Sequence, residues 1–207
     1  MRTSLEHWTT LWQRLGATGD GSACHSPLIG AWSEPRRAYH TLQHLDECLC
    51  ALDVAVAYAE IPNRDAIEAA LWFHDAVYDP TDGDNELRSA ELARCELELA
   101  AVSQAIIADV WRLILVTQTH RAELTDEFWM VDIDLSILGQ SETRFGEYEQ
   151  QIRAEYAWVA EAVYREKRSE IMRCFLERER LYHTPLFHDR FEEQARQNLA
   201  RLIEWMA

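Results

Sequence analysis

An all-α fold is predicted by three observations. Gly and Pro are scarce, at 7 and 5 of 207 residues. Apolar residues recur at intervals of three and four over long stretches, and runs with the period of two that a half-buried strand needs are hard to find. Neither an internal repeat nor a low-complexity linker interrupts the pattern. The reading is a single helical domain over 1–207, with a core over about 35–140 and packing helices over about 141–206.

Each element has its own signal. Leu5, Trp8, Leu11 and Trp12 mark a first helix, and GATGDGSACHSP (16–27) reads as a loop because its turn-forming residues break the periodicity. The EPRRAYHT stretch leads into a helix from about Thr41 with the stripe Leu45, Leu49, Leu52, Val56. Pro62 and Asn63 separate it from a helix over about 65–78, striped by Ile67, Ala70, Leu71, His74 and Tyr78 and stopped by Pro80. PTDGDN is a turn in which Asp84 can cap a helix running to about Ala101. Ser103 can cap the next, whose stripe Ile106, Val110, Leu113, Thr117 runs on to His120. Near 127–138 a shorter helix places Met130, Asp134, Ile137 and Leu138 on one side, with Asp132 beside Trp129 and Ser136. In the tail Phe145, Tyr148, Ile152, Tyr156, Val159 and Val163 share a face, a continuation reaches Tyr182, Pro185 interrupts, and Phe191, Ala195, Leu199, Leu202 and Met206 close the chain.

The composition excludes several function classes. A formal charge of −16 repels phosphate backbones and anionic lipid, so neither a nucleic-acid polymer nor a membrane surface is an expected partner. An anionic substrate must meet a local positive site. No apolar run approaches the roughly 20 residues of a membrane span. The odd number of cysteines, five without a paired CxxC spacing, predicts reduced thiols and a cytoplasmic location. All basic residues but Lys167 are Arg. The Trp and Tyr residues fall mainly on core stripes, so no base-stacking platform is expected from them.

The motifs GxxxxGK[ST], GxSxG and HExxH and an EF-hand loop are absent. What remains is a dispersed set of imidazoles and carboxylates: His40 and His44, the pair His74-Asp75, His120, and the triplet at 132–134. His74, His120 and Asp134 each fall on the apolar stripe of a separate helix, and an ionised carboxylate there is costly unless a cation or hydrogen-bonded partner compensates it. Adjacent helical residues point about 100° apart, so His74 and Asp75 share one ion only if it lies over the groove beside their helix.

In order and spacing, RAYHTLQHLDECL, LWFHDAVYDP, DNELRSAEL, TQTH and DIDLSILG, with the tail IRAEYAWV…FLERERLYHTPLFHDRFEEQARQNL, resemble the HD-domain superfamily of metal-dependent phosphohydrolases. Together they look like a bacterial subgroup of predicted hydrolases of that superfamily without a settled substrate, over roughly residues 5–205. The resemblance implies an HD-like helical bundle with additional C-terminal helices. It also implies one divalent ion held by His44, His74, Asp75 and Asp134, with Asp132 the competing choice or a second-sphere acceptor orienting a ligand.

Two imidazoles and two carboxylates suit Mn²⁺, Fe²⁺, Co²⁺, Ni²⁺, Mg²⁺ or Zn²⁺. The expected activity is hydrolysis of a small phosphorylated molecule, such as a nucleotide, by metal-activated water. Asp75, His120, Asp79 and Glu86 are the candidates for proton transfer, and Arg37, His40, Arg88 and Arg121 for holding substrate. His120 is also open to ligation of a second ion or to packing. Where some relatives carry a Glu three positions past the doublet, this chain has Tyr78. Two other readings are an HD-type di-iron oxygenase, which would recruit His120 with Glu86 or His40, and a non-catalytic nucleotide- or protein-binding module that keeps the metal site.

Overall fold

The computed structural model describes residues 2–207, and its regular structure is helical throughout, with no strand among the described residues. The residues fall into two compact units that meet in sequence between Val131 and Asp132. No helix is long and apolar enough to cross a membrane.

The first unit holds α1 (Leu5–Arg14), α2 (Ser22–Trp32), α3 (Leu42–Tyr58), α4 (Arg64–Phe73), α5 (Asn85–Leu99), α6 (Gln104–Val116) and most of α7 (Thr125–Asp134). Helix α4 is its centre and packs against α1, α3, α5 and α6. Every residue from Ala66 to Phe73 is buried. Its alanines let neighbouring backbones approach, while Ile67, Leu71, Trp72 and Phe73 each contribute roughly 2–3 kcal/mol by leaving water. The one acid of this run, Glu68, is compensated from α1, where the His7 imidazole lies 3.0 Å away and the Arg14 guanidinium donates to its other oxygen.

The expected loop at 16–27 is instead half helix. The Asp20 carboxylate accepts from the Ser22 amide (3.0 Å) and hydroxyl (2.8 Å), closing the start of α2. Gly21 sits at φ 73°, and a Cβ there would lie 2.6 Å from Nε1 of Trp8, so the turn requires glycine. Pro27 is carried inside the helix, while Cys24, Leu28 and Trp32, four residues apart, form its buried side.

Two helices stop earlier than the periodicity suggests. Helix α4 ends at Phe73 rather than near 78 because the Arg37 guanidinium takes the carbonyls of Asp75 and Ala76. Helix α6 ends at Val116, and the chain closes at His120 in the left-handed conformation, φ 50°. Thr41 caps α3, so His40 precedes that helix instead of sharing its first turn with His44.

The second unit begins inside α7 and continues through a 3-10 turn (Leu135–Gly139), α8 (Glu142–Glu155), α9 (Glu161–Leu176) and α10 (Pro185–Met206). The boundary falls at 131/132 rather than near 140 because the 3-10 turn packs on α8 and α10. Asn198 donates to the carbonyls of Leu138 (2.8 Å) and Gln140 (2.9 Å), and the Tyr182 hydroxyl to that of Leu135 (2.9 Å). The tail is broken where one long helix was expected. Val163 is exposed, and Pro185 does not interrupt a helix but opens one, at the first position of α10, where its missing N–H costs nothing.

Candidate metal centre

Three side chains of the first unit converge on one point. His44 lies in the first turn of α3, and His74 and Asp75 follow α4 directly. His44 Nε2 is 3.2 Å from His74 Nε2, His74 Nε2 is 3.0 Å from Asp75 Oδ2, and His44 Nε2 is 3.7 Å from that oxygen. The circle through three atoms so spaced has a radius of about 1.9 Å, so a point about 2.1 Å from all three lies just off their plane, matching metal–nitrogen and metal–oxygen bond lengths. The two nitrogens and one oxygen could hold a divalent ion, as their grouping permits.

The early end of α4 makes this meeting possible. On a continuing helix the adjacent side chains would diverge. In the turn after Phe73 both face one place, and the ion need not lie over a groove.

Surroundings fix the donor atoms. Nδ1–H of His74 donates to the Leu71 carbonyl at 2.9 Å, which leaves Nε2 with its lone pair toward His44. Two imidazole nitrogens 3.2 Å apart need a proton or a cation between them. Burial would raise the Asp75 carboxyl pKa, but the field of the His74, His40 and His44 imidazoles outweighs it, holding the group below the usual carboxylate range. Both imidazoles are buried, while the Asp75 side chain is 14% exposed, so the trio is open to solvent on its carboxylate side.

Buried aromatic rings surround the site. Tyr39 lies 4.7 Å from the His44 ring and Trp32 5.6 Å from that of His74, and Trp32 is itself fixed by Nε1–H donating to the Trp72 carbonyl at 3.0 Å. His40 stacks on Tyr78 at 4.0 Å. Cys48, one turn after His44, places its sulfur 3.7 Å from Nδ1 of that ring.

The expected substrate-holding role does not fit Arg37. Its side chain is 0% exposed, and its guanidinium donates to the carbonyls of Asp75 (2.5 Å), Ala76 (2.9 Å) and His40 (3.2 Å) and to Glu34. It therefore sets the backbone that carries the Asp75 carboxylate. Arg88 pairs with Asp82 at 2.9 Å on the surface, and Arg121 is exposed. Asp79 folds its own turn, accepting from the Thr81 amide (2.9 Å) and hydroxyl (2.7 Å), with Arg36 at 3.4 Å. These bonds close the turn after Pro80 and hold the Asp79 carboxyl below the ordinary range.

Glu86 and His120 lie nearer to the expected place. Both are half-buried. The pKa of Glu86 is raised, first by burial and then by the Asp75 charge, against the opposing pull of His120 and His74.

Asp132 and Asp134 separate clearly. Asp134 is the half-buried last residue of α7, in the second unit. Asp132 is fully buried, and its oxygens accept from the His183 amide (2.9 Å), the Thr184 amide (2.7 Å) and the Thr184 hydroxyl (2.7 Å). Burial moves its carboxyl up to about 6 despite those three bonds. Its expected part as an acceptor for a ligand is replaced by anchoring of the segment before α10.

The polar residues that sequence reasoning missed are Asn85 and Ser89. The Asn85 side chain accepts from the Asp79 amide (3.0 Å) and donates to its carbonyl (2.8 Å), and the Ser89 hydroxyl accepts from the Val77 amide (3.1 Å) and donates to its carbonyl (3.3 Å). One helical turn apart on α5, they bolt that helix to the extended segment after the ligands. The available signal was polarity on the buried side of a predicted helix.

Comparison with known proteins returns no matching family model, no similar curated protein and no similar solved structure.

Proposed function

We propose that the chain is a metal-dependent hydrolase of a small phosphoester, of the HD type that its motifs resemble. The observation that carries this reading is the convergence of His44, His74 and Asp75 on a point at bonding distance from all three. A divalent ion bound there would supply a Lewis acid that lowers the pKa of a nearby water and offsets charge on a phosphoryl oxygen. His74 presents its Nε2 lone pair because Leu71 holds the other nitrogen's proton. Asp75 contributes an anionic oxygen and faces solvent, where a substrate would enter. Arg37 keeps the Asp75 backbone in place. Tyr39 and Trp32 limit the access of water to the imidazoles. On a chain of charge −16, one cation beside one carboxylate is a local positive point that favours a small anion over an extended polyanion. The odd number of cysteines, with no paired CxxC spacing, suits a reducing compartment such as the cytoplasm.

The test is phosphate release from a panel of nucleotides and p-nitrophenyl phosphate by protein reconstituted with Mn²⁺, Co²⁺, Ni²⁺ or Mg²⁺. Release by at least one combination is expected, and its loss in His74→Ala and Asp75→Ala with the helical circular dichroism unchanged. No release by any combination would refute the reading.

A further inference from the structure

We propose that Asp82–Gly83 is a site of spontaneous backbone modification, where the chain closes to a cyclic imide and reopens as an isoaspartyl linkage, while the same dipeptide at Asp20–Gly21 is protected by its fold. The modification requires neither metal nor substrate.

Asp–Gly occurs twice in the chain, at 20–21 and 82–83, and Asn–Gly does not occur. Glycine makes such a pair reactive because no Cβ stands beside its amide nitrogen to hinder attack on the preceding carboxyl. The two sites share that chemistry and differ in how the reacting groups are held.

At 82–83 the groups face each other. Residues 81–84 are exposed, and the Gly83 amide donates to Asp82 Oδ1 at 2.8 Å. The carboxyl carbon, one bond beyond that oxygen, is therefore at most about 4 Å from the nitrogen, and a side-chain rotation brings it to the roughly 3–3.5 Å of a near-attack pair. Asp82 Oδ2 pairs with Arg88 at 2.9 Å, which keeps the carboxyl on this side of the loop. Nothing crowds the glycine, since a Cβ added there would meet no atom within 4 Å.

At 20–21 the same groups are turned apart. Asp20 Oδ1 reaches past Gly21 to the Ser22 amide (3.0 Å) and hydroxyl (2.8 Å). Gly21 is buried at φ 73°, and its carbonyl accepts from Trp8 Nε1 (2.9 Å) and from the His25 amide (2.9 Å). Ring closure there must release Ser22 and lift Gly21 from beneath Trp8.

The steps balance with water alone. The Gly83 nitrogen bonds to Asp82 Cγ as a Cγ–O bond breaks, and that oxygen leaves as water with the carboxyl proton and the amide proton. Water then adds to the former backbone carbonyl of Asp82, whose bond to the Gly83 nitrogen breaks as that nitrogen takes a proton back. The new carboxyl ionises. The product carries one more backbone carbon between Asp79 and Asn85, which the Asn85 side chain joins at 3.0 and 2.8 Å, so the loop after the ligand-bearing turn is loosened.

The full chain is held at 37 °C and neutral pH for several weeks and digested with trypsin, and isoaspartate is quantified by electron-transfer fragmentation in the peptides 15–36 and 65–88. Isoaspartate at 82 is expected to accumulate at least about tenfold faster than at 20. In concentrated urea the two rates should agree within about threefold, because the protection at 20 belongs to the fold. Gly83→Ala, which the open space accommodates, and Asp82→Glu, whose closure needs a larger ring, should each slow the reaction by about tenfold. In the isomerised fraction the Asp79 amide, which donates to Asn85, should exchange with solvent at least about threefold faster. Comparable rates at 20 and 82 in the folded chain, a ratio that persists in urea, or an unchanged rate in Gly83→Ala would overturn the proposal. Unchanged exchange at Asp79 would overturn the loosening of the loop.

Discussion

Replacing Arg37 by Met removes a buried guanidinium while roughly keeping the length of the side chain. Three carbonyls, those of Asp75, Ala76 and His40, lose their donor. A buried carbonyl left without a partner costs about 1–3 kcal/mol. The Asp75 and His40 residues are only half-buried, so water recovers part of that loss, and about 1 kcal/mol for each carbonyl is the working figure. The stacking of the guanidinium between the Trp32 and Tyr78 rings, at 5.8 and 5.6 Å, adds about 1 kcal/mol. The ion pair with Glu34, whose side chain is 37% exposed, adds little. The first unit should therefore lose roughly 4 kcal/mol by urea titration, and the midpoint of thermal unfolding should drop by roughly 8–16 °C. Mn²⁺ affinity, measured by calorimetry at a temperature where the variant is folded, should fall as well, since the Asp75 backbone is no longer held. Arg37→Lys should recover less than half of the loss, because an ammonium cannot reproduce the planar fork. A stability change below about 1 kcal/mol for Arg37→Met would show that these carbonyls do not depend on the guanidinium.

Other perturbations probe the rest of the molecule. Gly139→Ala would place a Cβ 2.4 Å from that of Phe191 and 2.7 Å from its carbonyl oxygen, so the 3-10 turn and α10 must separate, and a loss of about 2–3 kcal/mol is expected by denaturant titration. Arg14→Met removes the leading attraction that offsets burial of Glu68, whose folded pKa is already raised, chiefly by desolvation. A raised folded pKa means that stability is greatest below the unfolded value and falls as pH rises through the folded one. The variant should lose more stability than the native protein between pH 5 and pH 7, and equal losses would contradict the ion pair's role. Mn²⁺ at about one hundred times its dissociation constant should stabilise the native protein by about 2.7 kcal/mol, a rise of roughly 5–11 °C that a chelator reverses and His74→Ala abolishes.

Much of this architecture was legible in the sequence because it depends on periodicity. The stripes at Leu45, Leu49 and Leu52 and at Val110 and Leu113 are buried as predicted, and the cap at Ser103 lies where its side chain suggests. What escaped was set by long-range polar contacts. Helix α4 stops where Arg37, some forty residues earlier, captures the carbonyls of Asp75 and Ala76 just past it, and α2 begins inside a glycine-rich stretch because Asp20 closes it. The apolar stripe favoured Asp134 over Asp132, yet Asp132 is the more deeply buried, since three donors before α10 make that burial tolerable. Of the candidate metal site, His44, His74 and Asp75 were legible through the likeness of their motifs to the HD superfamily, while the helical stripes alone pointed to His74, His120 and Asp134. The tautomer of His74, set by a backbone carbonyl, was not.

The most direct measurement is anomalous diffraction from crystals of the protein grown with Mn²⁺ or Co²⁺. The account predicts a peak in the first unit within about 2.3 Å of His44 Nε2, His74 Nε2 and Asp75 Oδ2 together. Ordered side chains at these three positions with the peak elsewhere, or with none, would contradict it.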